Sequence, residues 1–437
     1  MDAGQYYQHV IDRLRNCYRH SGHIIATGEE LARESGDPVF PSVAAPVDQL
    51  ERFSLERGLE VHIPVVGKDS QAVLMPLDIE IFMAEDQYRL YTDREEQKEY
   101  FKRTLPVLRF VEDLLRSRGL PYLLDYTPSG GHILFQNILG HRATDEVRRI
   151  GFVEEDLVAA CEYVDPADIR RSCPTSLEAA QVFSGLGRIA EYMALLAMRA
   201  FQDHEEQGLP PLTISDNKDM CINFDNTWSE GPPYLRAIRS PFSLHKKNLD
   251  KYGKHHQPPL VDVVGAFFDG REATEVTNAD LILDCMWDLD KAAEHARRFS
   301  GFIPCSNEAL ADFVAEYRSS DLYLFHRDFD TCQELPRESA VKRAKREETI
   351  SDRTRSVLEH PNPLALQPKE LVGFVHDFLI HAEWHPRHIA NILRDLYQNP
   401  KHNWVQDFFQ HPAKEKANFW ARTYSAVALF KTGGIRM

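Results

Sequence analysis

The chain has no Cys-x-x-Cys pair anywhere in its 437 residues. Its seven cysteines (Cys17, Cys161, Cys173, Cys221, Cys285, Cys305 and Cys332) are scattered and odd in number. That argues against a disulfide framework and predicts buried thiols in a reducing, cytoplasmic setting. The one zinc-like grouping, Cys161 and Cys173 with His141, has poor ligand spacing, so zinc is not expected. No apolar run approaches membrane-spanning length, and no membrane partner is expected. Nor is a signal peptide expected at Met1-Asp2-Ala3. The P-loop pattern G-x-x-x-x-G-K-[ST] is missing, as is H-E-x-x-H. No internal repeat is visible. An excess of positive charge is also lacking: 51 Lys and Arg stand against 67 Asp and Glu, a net charge of −16. This argues against general, salt-driven nucleic-acid binding. A template site would have to be a local basic patch on an acidic body.

What is present starts with apolar content of 43%, enough for sizeable cores. In Leu77-Asp78-Ile79-Glu80-Ile81, apolar and acidic residues alternate. Period two with β-branched residues predicts a strand with Asp78 and Glu80 on one face, about 6.5–7 Å apart. Carboxylates so placed can hold a pair of divalent ions. The alternative is the exposed face of a surface strand. A second apolar run, Met220-Cys221-Ile222-Asn223-Phe224, ends in Asp225. Alone, Asp225 reads as a turn or capping residue.

Between strand-like runs at 120–126 and 133–135 lies Ser129-Gly130-Gly131-His132. Paired glycines there allow positive φ and a close approach of backbone to ligand. Bare amides, the Ser129 hydroxyl and His132 could then meet phosphate oxygens. A plain hairpin with a structural histidine is the competing reading. From Arg236 to Lys254 there are two Arg and four Lys against one Asp, Asp250. Arg236 and Arg239 could reach different phosphates of one triphosphate, or the stretch is a solvated loop.

Together these pieces resemble the archaeo-eukaryotic primases, the group that includes primase small subunits and bacterial primase-polymerases. The resemblance lies in the hydrophobic-Asp-x-Glu strand, the small-residue turn before His132, and Asp225 at a strand end. The most specific match is Arg236, Arg239, Pro241, Ser243, Leu244, His245 and Lys247, in the form Arg-x-x-Arg-x-Pro-x-Ser-Leu-His-x-Lys. It covers roughly residues 60–260. It implies that Asp78, Glu80 and Asp225 ligate two Mg²⁺ or Mn²⁺ ions. It implies also that Ser129, Gly130, Gly131, His132, Arg236, Arg239, Ser243, His245 and Lys247 surround an incoming NTP or dNTP. Single-stranded DNA would be the template, with helicase or other replication or defence proteins as partners. The implied activity is a primase or primase-polymerase. A non-catalytic nucleic-acid binder and a metal-dependent nuclease are the alternatives. The chain departs from the family in its shorter second motif and in having no counterpart of the zinc module.

The expected fold class is α+β. Residues 1–45 read as an N-terminal helical segment (5–35) and a Pro-containing linker (36–48). Residues 46–270 read as an RRM-like catalytic domain, interrupted by a helical insertion at about 145–204. Residues 271–437 read as an all-α domain. Strands are expected at 58–66, 72–83 and 87–92, and a helix at 95–118 that Pro106 should kink or restart. The charge-dense stretch 336–356 reads as a solvated helix or linker. His376, His381, His385 and His388 read as helix-end and surface histidines, and the C-terminal aromatics as core.

Overall fold

The computed structural model describes residues 1–31, 42–66, 71–83, 87–164, 175–216, 218–245, 260–271, 273–275, 278–305, 308–336, 339–361, 368–399, 402 and 413–437. Its strands are β1 (His23–Thr27), β2 (Ser42–Pro46), β3 (Glu60–Pro64), β4 (Ala72–Phe82), β5 (Tyr122–Thr127), β6 (Gly130–Ile138), β7 (Leu212–Ile214), β8 (Cys221–Asp225), β9 (Ala237–Arg239), β10 (Leu244–His245), β11 (Leu260–Val261), β12 (Val263–Phe268) and β13 (Ala273–Glu275). The helices used below are α1 (Ala3–Cys17), α2 (Arg94–Arg116) and α3 (Leu177–Ala200).

The alternation at 77–81 does what period two requires. Leu77, Ile79 and Ile81 are fully buried, while Asp78 and Glu80 are half-buried on the opposite face. β4 lies between β6 and β8 in a seven-stranded sheet ordered β13-β12-β5-β6-β4-β8-β7. Every pairing in it is antiparallel except β7 with β8. A second sheet, β2-β1-β3-β9, is separate, and β10 pairs with β11.

α2 begins at Asp93, whose side chain accepts from the amides of Glu95 and Glu96. Its stripe of Phe101, Leu105, Leu108, Val111 and Leu115 is buried, and Phe101 meets Tyr126 edge-on at 5.2 Å. Of the kink or restart expected at Pro106, the restart is absent: the helix runs on through it. α3 begins at Ser176, which caps Ala179, and is buried along most of its length. α2 and α3 contact β4 and each other.

Four expectations change. The span 145–204 does not simply interrupt the sheet, because its long helix α3 is part of the layer packed on it. Residues 5–35 are not one helix: α1 ends at Cys17, and Ile24 and Ile25, β-branched, lie in β1. Residues 87–92 hold a helical turn, Arg89–Thr92, instead of a strand. The described part of the 36–48 linker contains β2.

The C-terminal region is helical as expected. The apolar core around the large sheet nevertheless continues through Ile282, Phe313 and Tyr317 to Leu322. A second cluster starts at Phe329 and includes Phe374, Trp384, Leu393, Phe419 and Trp420. The boundary expected between 270 and 271 therefore has residues of this one core on both sides.

Buried charge joins the two clusters. On α3, Glu191 accepts from Arg422, Thr423 and His326, and Arg188 pairs with Asp330 at 2.9 Å. Nδ1 of His326 meets the Tyr317 hydroxyl at 2.6 Å, and its Nε2 meets Glu191 at 2.9 Å. A neutral ring satisfies both contacts. Burial accordingly pulls the His326 pKa down to about 4, against the pull of Glu191. Because the unfolded chain binds this proton more readily, the stabilisation is complete above about pH 6.5 and is lost as pH falls toward about 4. The loss amounts to about 3 kcal/mol at most. Glu191, held below the usual carboxylate range chiefly by Arg422 against the effect of burial, adds to the loss below about pH 4.5. Urea midpoints measured from pH 7.5 to 4 should therefore fall more steeply for the wild type than for His326→Gln. Parallel curves would remove His326 from this role.

Candidate functional site

The register of the large sheet assembles the acidic face. Asp78 lies directly opposite His132 on β6 and opposite Asp225 on β8. His132 in turn lies opposite Asp125 on β5. Residues paired in this way share a face, so Asp125, His132, Asp78 and Asp225 form one row across four strands. Glu80 sits two residues along β4 on the same side, opposite Gly130 and Asn223.

The contacts along this row are electrostatic. His132 Nε2 is 3.7 Å from Asp78 Oδ1, and Nδ1 is 3.4 Å from Asp125 Oδ1. Burial favours the neutral ring, but Asp125, Asp78 and Asp262 outweigh it and raise the His132 pKa to about 9. Burial first, then Glu80 and Asp225, push Asp78 well above the carboxylate range, against His132 and Arg239. Like charges therefore crowd at Asp78, whose side chain keeps 20% exposure. Such an all-oxygen set suits hard divalent ions such as Mg²⁺ or Mn²⁺.

Ser129 donates to Glu80 Oε2 at 3.0 Å, so its hydroxyl serves a carboxylate. Asp225 Oδ1 accepts from the Thr227 amide at 2.8 Å. It is thus both the cap of the following turn and the neighbour of Asp78. Gly130 and Gly131 are strand residues, and neither has positive φ. The turn is Pro128-Ser129. A Cβ on Gly130 would lie 1.9 Å from the Ile79 carbonyl oxygen, and one on Gly131 would lie 2.8 Å from that of Asp125. The close approach that glycine allows here is to neighbouring strands, which corrects the expected approach to a ligand.

The basic stretch is also used differently from expectation. Arg239 on β9 donates to Glu60 Oε1 at 2.7 Å and reaches Asp262 at 3.4 Å. Burial would raise Glu60, but Arg239 and His62 hold it well below the usual range. Burial pushes Asp262 up to about 7 despite Arg239. Arg236 is buried against Glu230. Ser243 is fully buried, and its Oγ accepts from the Val61 amide at 2.9 Å. Arg236 and Ser243 are thus buried, and Arg239, its side chain 12% exposed, is engaged by two carboxylates of the protein itself. The reason is non-local: β9 is paired to β3, which supplies Glu60. His245 is buried, its ring 5.5 Å from that of Tyr91, and Lys247 lies outside the described residues.

Asp125, Asp262, Glu60 and Tyr91 were not singled out from the sequence. The signal was there for the first two: each is a lone carboxylate in an apolar run, Leu123-Leu124-Asp125 and Leu260-Val261-Asp262-Val263. Among the described residues, two triads have ligating atoms all within 4.8 Å of one another. One is Asp125–His132–Asp262. The other is His376–Asp377–His381, which a π-helical turn over Asp377–His381 brings together. Asp78, Glu80 and Asp225 do not form a third such group, their ligating atoms not all lying within 4.8 Å of one another. No protein-family model, curated protein or solved structure matches the chain.

Arg239 is the permanent cation between Glu60 and Asp262. Arg239→Ala would leave both carboxylates buried without it, a change that costs about 3–5 kcal/mol. Chemical denaturation should show that loss. An unchanged midpoint with a purely kinetic defect would return Arg239 to the phosphate role.

Proposed function

We propose that this protein is a template-dependent nucleotidyltransferase of the primase or primase-polymerase type, acting on single-stranded DNA with Mg²⁺ or Mn²⁺. The observation that carries it is the row Asp125–His132–Asp78–Asp225, with Glu80 beside it, on one face of the sheet. The chain order supports it as well. β4, α2, β5, β6, α3 and β8 follow as β-α-β-β-α-β, with sheet order β5-β6-β4-β8. That order supports the RRM-like reading of the catalytic core, with further elements inserted between β6 and β8.

Asp78, Glu80 and Asp225 are the residues that would hold the ions. The chemistry such ions supply is a more acidic 3′-hydroxyl and neutralised charge on the phosphates. Glu80 is kept in place by Ser129, and Asp225 by the Thr227 amide. His132 offers a cationic donor beside Asp78, suited to a phosphate oxygen of the incoming nucleotide. Arg239 acts from behind, neutralising Glu60 and Asp262.

Metal-dependent nuclease activity is the second reading. It gains from the engagement of Arg239 and Ser243 by protein groups, because a stretch that grips a triphosphate would favour synthesis instead.

Labelled nucleotides, a primed or unprimed single-stranded template and Mn²⁺ separate the two. Wild-type protein should extend or initiate strands, and Asp78→Asn and Glu80→Gln should lower the rate by at least about a hundredfold. Since Asp78 is destabilised as an anion, the thermal midpoint of Asp78→Asn at pH 7 should not fall. Template degradation without synthesis would favour the nuclease, and synthesis by both variants would remove these carboxylates from the mechanism.

A further inference from the structure

We infer that Asp125 is a positioning residue that acts through His132. It holds the Nδ1 edge of the ring so that Nε2 faces Asp78 and the reacting nucleotide. This rests on the proposed function only for what Nε2 contacts.

Asp125 is fully buried in a strand between apolar neighbours, and Asp262 is 1% exposed beside it. Neither Asp125 oxygen makes a hydrogen bond, nor does His132 Nδ1 or Asp262 Oδ1. Burying an anion with so few donors is costly, and a leucine there would pack without that cost. What Asp125 does face is His132, opposite it in the register and 3.4 Å away. A contact of that length is short of hydrogen-bond geometry. Catalytic contacts are often long at rest and tighten in the reacting complex.

The two nitrogens of an imidazole point in opposed directions, so fixing one edge aims the other. The opposite edge of His132 is the one beside Asp78. Asp262 is paired with Arg239 at 3.4 Å, whereas the charged partner of Asp125 is His132 itself. The result is a carboxylate–imidazole pair built across two strands, with its working edge in the proposed site.

Asp125→Asn keeps the shape and removes the charge. It should lower kcat for primer extension by roughly ten- to a hundredfold, with a smaller change in KM for nucleotide. Template affinity and thermal midpoint should hold. In a His132→Ala background, the same substitution should cost almost nothing more, because both act through one ring. Independently of activity, ¹⁵N-histidine NMR should show His132 with Nδ1 protonated in the wild type and a changed ring signal in Asp125→Asn.

A full additional cost in the His132→Ala background would overturn the inference. So would an unchanged His132 signal. One divalent ion per chain that survives mild chelation and is lost in Asp125→Asn would also overturn it, by making Asp125–His132–Asp262 a metal site. If the wild type transfers no nucleotide, the proposed function fails, and the NMR result still decides the role of Asp125.

Discussion

The register of β4 between β6 and β8 is the constraint on which the site depends. A slip of one residue would turn Leu77 and Ile79 onto the acidic face and drive Asp78 and Glu80 under the helices. Two features oppose that slip. Leu77, Ile79 and Ile81 are completely buried, so the alternative register would expose apolar surface and bury two carboxylates. The second feature is steric. Gly130 sits where any Cβ would strike the Ile79 carbonyl, so the hairpin fits against β4 with a glycine at this point. The two-residue turn at Pro128-Ser129 then fixes His132 opposite both Asp78 and Asp125.

Charge ties the second sheet to the first. Glu60 and Arg239 come from the small sheet, and Asp262 from the link between β11 and β12. Asp125, His132 and Asp78 come from the large one. A buried ion pair adds little net stability when both partners are present, yet losing one partner is costly. The cluster therefore acts as a constraint on how the two sheets meet more than as a source of stability. Within that network burial first, then Glu80 and Asp225, keep the Asp78 pKa raised, while its opposing cation, His132, also faces Asp125 and Asp262.

What was legible in the sequence was local. Alternation at 77–81 located β4 and its two carboxylates, and the stripe in 101–115 located α2. The α+β class and the helical C-terminal region follow from the same periodicities. The pairing of Asp225 with Asp78 could not be read from either strand alone, since it depends on a contact across 147 positions of chain; only resemblance suggested it. The direction of Arg239 and Ser243 was illegible for a related reason. Their stretch is short of apolar pattern, and its orientation is set by β3, almost 180 residues earlier (|i−j| of 179 for Arg239 to Glu60). At 23–27, a β-branched run following a good helix was absorbed into the helix. Asp125 and Asp262 were passed over because single carboxylates in apolar runs have no period to announce them.

The stretch from Arg239 to His245 thus does structural work in this fold. Phe242 adopts φ of 66°, a conformation that side chains rarely take, and its carbonyl accepts from the Tyr6 hydroxyl at 2.9 Å. One residue on, the Ser243 hydroxyl accepts from Val61, and the Leu244 amide donates to Tyr7. Tyr7 in turn donates to the Leu59 carbonyl at 2.6 Å. α1, β3 and residues 240–245 are thereby locked together, with Arg239 at one end aimed at Glu60 and Asp262, and His245 at the other packed on Tyr91. Strain at Phe242 persists because three elements hold the turn. A residue pattern can therefore mark a site by shaping its wall while the proposed chemistry lies elsewhere. Here the proposed chemical groups are Asp78, Glu80, Asp225 and His132, on the large sheet.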